Sequence, residues 1–288
     1  MFDLLISPFI EFSFMRRALV GCFALALGAT PIGIFLMLRR MSLMGDAMAH
    51  AILPGAAFGY LVSGLSVGAM TVGGVVAGLT VAILSGVVAR VTVLREDASL
   101  AAFYLISLAL GVLIVSISGN SIDLLHVLFG SVLALDNITL LLIASITTIT
   151  AIAMSLIYRP LVMECVDAGY LRSVSGLSPV AHFGFLVLVV INLVGGFHAL
   201  GTLMAVGIMI LPAAAARFWA RNIGSMLLTA VVMALLAGYV GLLLSYYVGV
   251  PSGPAIILVL GFIYLFSILF ARDGVITQRL RATRHLEA

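Results

Sequence analysis

Ala18-Leu19-Val20-Gly21-Cys22-Phe23-Ala24-Leu25-Ala26-Leu27-Gly28-Ala29-Thr30-Pro31-Ile32-Gly33-Ile34-Phe35-Leu36-Met37-Leu38 runs for 21 residues without a charge and stops against Arg39 and Arg40. A bilayer core of about 30 Å is crossed by roughly 20 apolar residues in a helix, so this stretch reads as a membrane span. Similar runs recur at 46–63, 67–89, 98–118, 138–157, 180–196, 199–216, 225–248 and 254–271. The whole chain shares the bias: it is 64% hydrophobic and 9% charged, with mean hydropathy +1.31. A soluble domain carries about 25% charged residues. The runs do not alternate apolar and polar positions, which excludes an outer-membrane barrel. The expected fold is therefore all-α and polytopic, a single transmembrane domain over 1–288 with about 8–9 spans.

Arginine placement sets the expected orientation. Arg39/Arg40, Arg90/Arg95, Arg159/Arg172, Arg217/Arg221 and the tail 272–288 with Arg272, Arg279, Arg281 and Arg284 fall in every second connection. The alternate connections at 64–66, 119–137, 197–198 and 249–253 hold none. Under the positive-inside rule this predicts nine spans, an external N-terminus and a cytoplasmic C-terminus. Arg16 and Arg17 are the exceptions, because they precede the first span on the external side. An eight-span version with one re-entrant piece stays open, and 119–137 is too short and too polar to cross. Residues 1–14 contain Asp3 and Glu11 but no basic residue, so no signal-peptide n-region is present and the first span is expected to be retained.

Lysine is absent altogether, which excludes a Walker A loop and Schiff-base chemistry. The pI near 9.1 is read as arginine in cytoplasmic loops and not as a nucleic-acid surface. Cys22 and Cys165 lie in unlike surroundings, and no metal-type cysteine cluster occurs. No hydrolase, zincin or dinucleotide motif is present, so no enzyme activity of its own is expected.

Ionisable groups inside spans are costly and mark pathways or partners. In Gly45-Asp46-Ala47-Met48-Ala49-His50, Asp46 and His50 are one helical turn apart and project from one face. Carboxylate plus imidazole makes a half-site for Zn²⁺ or Mn²⁺. The same residues would equally serve as a helix cap and a satisfied buried histidine. Asp123 and His126, together with His182 and His198, are further pathway candidates, although each also suits a solvated surface or an interhelical hydrogen bond. Gly55-x-x-x-Gly59 and Gly74-x-x-x-Gly78 predict close helix crossings. In the connection 159–179, Val166, Tyr170 and Val174 recur every four residues and Gly176 is a stop, which describes a short amphipathic helix on the cytoplasmic face.

The run from Arg39 through Met41-Ser42-Leu43-Met44-Gly45-Asp46-Ala47-Met48-Ala49-His50-Ala51-Ile52-Leu53-Pro54-Gly55 resembles the signature of membrane permeases of bacterial ABC importers for zinc, manganese or iron. Asp123-Leu124-Leu125-His126-Val127-Leu128-Phe129-Gly130 and the stretch Gly201-Thr202-Leu203 to Leu211-Pro212-Ala213-Ala214-Ala215 are similar to two further parts of that family. The chain departs at Ala49, where the family motif has serine. The resemblance implies a homodimer in the bacterial inner membrane with two cytoplasmic ATPase subunits and an external metal-binding protein. No permanently bound cofactor is implied: the metal is cargo and ATP sits on the ATPase. Asp46 and His50 would bind the passing ion. The family's coupling helix would correspond to the segment carrying Glu164, Asp167, Tyr170, Arg172 and Gly176. Arg16 and Arg17 would dock the binding protein. Imidazole points to zinc first and manganese next, with iron also accommodated. The competing expectation is a self-sufficient proton-coupled metal carrier with His50 as the titrating group. A non-transporting scaffold would give no reason for the Asp/His pair.

Overall fold

The computed structural model describes residues 2–64, 66–118, 135–272 and 274–277. Among the described residues, apolar runs long enough to cross a bilayer form seven full-length helices: α2 (Ser13–Leu38), α5 (Val67–Val91), α6 (Glu96–Ser118), α7 (Asn137–Val166), α9 (Leu177–Leu200), α11 (Ile223–Val248) and α12 (Ser252–Phe270). Shorter helices complete the bundle: α1 (Phe2–Glu11), α3 (Met44–Ala51), α4 (Leu53–Ser63), α8 (Ala168–Val174) and α10 (Thr202–Ala216).

Two expected spans take a different form. The run 46–63 is divided at Ile52 into α3 and α4, with Pro54 in the first turn of α4. Proline has no N–H and its ring crowds the preceding turn, so one continuous helix is interrupted there. The run 199–216 yields only the 15 residues of α10, about 22 Å of helix, because Gly201 adopts φ +83° and resets the chain between α9 and α10. The connection 159–179 is also shorter than expected, since α7 continues to Val166 through Pro160. Arg16 and Arg17 do not precede the first span. They belong to the opening turns of α2, which starts at Ser13.

Contacts at the helix ends fix the up-down order. At one end Arg39 meets His182, Arg90 meets Glu164 and Trp219 Nε1 donates to Ser267 Oγ at 2.9 Å. At the other end Phe12 packs on Tyr246, and α1 lies against α11 through Phe9–Tyr239 ring stacking. The arginine-bearing connections therefore gather on one side, as the charge pattern requires.

Packing is close where side chains are smallest. A methyl group added at Gly55 would strike the carbonyl oxygen of Gly73, and one at Gly59 would lie 2.5 Å from Ala69 O. The Gly55/Gly59 pair is thus the crossing of α4 on α5. Hydroxyls bond across helices: the part-buried Thr147 Oγ1 to Ala24 O at 2.9 Å, and the buried Ser99 Oγ to Ser85 O at 3.1 Å. The main apolar core lies between α2, α3, α5 and α9, around Phe35, Met48, Ile52, Phe185 and Val189.

Candidate functional site

α3 carries the Asp/His pair. Its alanines Ala47, Ala49 and Ala51 and its methionines Met44 and Met48 are buried against the bundle, which turns Asp46 and His50 the other way. The side chain of Asp46 is 69% exposed and that of His50 42% exposed, with His50 Nε2 3.9 Å from Asp46 Oδ1. The depth of the pair follows from α6. Ser107, its midpoint, donates to Ala51 O at 2.9 Å. Asp46 lies five residues from Ala51, about 7 Å along the helix axis. Half the hydrocarbon thickness is about 15 Å, so both groups sit at membrane depth. A carboxylate there costs about 3 kcal/mol against lipid. A polar pair left partly exposed by the described residues at this depth calls for water, an ion or a second protein surface. Among the described residues there is no group of three or more His, Cys, Asp or Glu that could hold a metal, so at this site the described residues offer a cation two donors.

The other candidates are scattered. His182 sits at the arginine-rich end, where Arg39 Nη2 donates to its Nδ1. It is held away from the Asp46/His50 face. Asn192, whose type also suits a pathway, is buried and donates to Thr150 Oγ1 at 2.6 Å and Leu188 O at 3.0 Å, so it ties α9 to α7. His198 lies on α9, but its side chain is outside the described residues, as are Asp123 and His126.

The amphipathic segment is realised as α8, with two reassignments. Glu164 does not lie on it. Glu164 belongs to the last turn of α7, is 2% exposed at its side chain and lies 3.7 Å from Arg90 Nη2. It is a buried partner of α5 and does not face outward. Asp167 caps α8 by accepting from Tyr170 N at 2.9 Å. Leu171 is buried and anchors the helix, while Val166, Tyr170 and Val174 are exposed. Gly176 does not end α8: Ser175 closes it in extended geometry, and Gly176, at φ −70°, starts α9. Arg16 is exposed and donates to Ile10 O at 3.0 Å, whereas Arg17 lends positive potential to Asp136 at the start of α7.

A family model described as the ABC 3 transport family matches residues 11–271. The chain belongs to the ABC 3 transport family. It is a permease of metal-ion ABC transport, multi-pass in the bacterial inner membrane, and not itself a catalytic enzyme. It is 30% identical over 261 residues to the manganese import system permease protein ScaB of Streptococcus parasanguinis, covering 91% of this chain and 92% of that one. It is 27% identical to a probable iron transport system membrane protein of Haemophilus influenzae, over 94% and 98% of the two chains. A chain of PsaBC from Streptococcus pneumoniae, solved in complex with Fab, superposes with TM-score 0.83 at 26% identity, over 98% of this chain and all of that one. The zinc preference drawn from imidazole alone finds no support among these relatives, whose names specify manganese and iron.

Proposed function

We propose that this permease imports manganese, with iron as the next candidate, through a pathway lined by Asp46 and His50 at the interface of two copies of the chain. The observation that carries the reading is the exposed Asp46/His50 pair at membrane depth. Two copies would bring two carboxylates and two imidazoles together and would cover groups that lipid would penalise. That donor set, with room for water, suits Mn²⁺ or Fe²⁺ better than a closed tetrahedral zinc site. Holding the ion by few ligands also allows release. The manganese and iron names of the relatives support the same order.

An external binding protein delivers the ion, with Arg16 and Arg17 at the outer end as its docking residues. A cytoplasmic ATPase drives the cycle and receives α8, whose exposed Tyr170 and Val174 form an apolar knob flanked by Asp167 and Arg172. The test is manganese uptake into liposomes holding the permease, its ATPase and its binding protein. Uptake that needs ATP and all three proteins supports the reading. Uptake by this chain alone, driven by a pH gradient, would replace it with a proton-coupled carrier.

A further inference from the structure

A second polar site lies at the arginine-rich end of the bundle, and neither Asp46 nor His50 lines it. It is a cavity of about 590 Å³ walled by Arg39, Arg40, Arg90, Arg95 and Arg172, with Asp97 and Glu164 as its acids. Among the described residues five cations face two anions, an excess of three that the pairing of Glu164 with Arg90 at 3.7 Å leaves unchanged. Arg39 is poorly compensated. Its Nη2 donates to His182 Nδ1, a neutral acceptor, and its guanidinium lies 5.4 Å from the Phe185 ring centroid. Its Nη1 is buried with no hydrogen-bond partner among the described residues. A buried guanidinium without an anion is costly, so the wall is built for one.

Two further features point to the same use. Arg40 adopts φ +60° at the end of α2, where Met41 N closes on Leu36 O at 2.8 Å. Glycine is the usual occupant of that left-handed position. An arginine in that left-handed position, with its side chain on the cavity wall, points to function over local ease. Beside it, residues 91–94 link Arg90 to Arg95 and expose Val91, Val93 and Leu94, of which Leu94 also lines the cavity. Apolar side chains between arginines fit the border of headgroups and acyl chains.

We propose that this cavity binds a phosphate group, either the phosphodiester of an anionic phospholipid in the adjacent leaflet or free inorganic phosphate. Guanidinium forks match phosphate oxygens in pairs, and the apolar rim gives a lipid a place for its chains.

The full chain in nanodiscs of phosphatidylcholine, titrated with phosphatidylglycerol and read by native mass spectrometry, tests this independently of metal uptake. Wild type is expected to retain phosphatidylglycerol selectively. Arg40→Gln/Arg95→Gln is expected to bind it about thirtyfold more weakly, the loss of two basic groups near an anionic surface. Arg40→Lys/Arg95→Lys should recover most of the retention, which separates charge from misfolding. Saturable inorganic phosphate binding in phosphatidylcholine discs that blocks lipid retention would assign the site to free phosphate. Equal retention by wild type and the glutamine variant would overturn the proposal. So would retention that disappears when the ATPase is assembled onto the permease, because the cavity would then belong to that interface.

Discussion

Replacing Asp46 by Asn and His50 by Gln keeps shape and removes the carboxylate charge and the imidazole. As a purely structural pair these residues are worth little. They are 69% and 42% exposed and 3.9 Å apart at i,i+4 spacing, a geometry that contributes about 0.5 kcal/mol or less. For a chain of this size about 1 kcal/mol moves Tm by roughly 2–4 °C, so the double variant should melt within about 2 °C of wild type. As donors to an ion they are worth much more. Loss of even a group that only supports a metal ligand costs about 10- to 100-fold in affinity or activity. Each substitution removes one donor per copy, so uptake should fall by at least about 100-fold. The assay pairs manganese uptake in the complete liposome system with a thermal melt in the same detergent. Wild-type uptake by the double variant would refute the ligand role. A melt lowered by more than about 5 °C would show that the pair holds the fold.

Two further outcomes test the ends of the bundle. Glu164→Gln should lower Tm by roughly 6–12 °C, because removing one member of a buried ion pair costs about 3 kcal/mol at the lower end of the usual range. Arg90 is 21% exposed and also lies over the Phe183 ring, so the lower end applies; the variant Glu164→Met/Arg90→Met should recover most of the loss, and an unshifted melt for Glu164→Gln would show that the pair contributes nothing. Asp136 accepts from Thr139 N at 2.8 Å, and its hydrogen bonds to Thr139, with Arg17 adding to them, hold its carboxyl below the ordinary range. A depressed acid stabilises above its unfolded pKa of about 3.9 and loses that effect as pH falls through the lower, folded value. Asp136→Ala should therefore cost about 1 kcal/mol of capping at pH 7 and approach wild type only as pH falls through the folded value, as followed by melts from neutral to acidic pH.

The amino-acid sequence by itself determined that this chain lies in a membrane, because 20-residue apolar runs leave no other solvent for them. It determined which connections share a side, because arginines resist translocation. The Asp46/His50 spacing was also readable, since a helix places i and i+4 on one face. Tertiary structure decided what those residues meet. Periodicity cannot say which face of a uniformly apolar helix is covered, and only the burial of Ala47, Met48 and Ala51 shows that Asp46 and His50 look outward. The fate of Glu164 was equally hidden: four residues beyond Pro160 it reads as loop, yet α7 runs on and Arg90, 74 positions earlier in the chain, draws it inside. The five-arginine cavity has no signature in one dimension, because its walls come from helix ends far apart in sequence. Charge near a bilayer is legible along a chain, but the pairing of charges depends on which ends pack together.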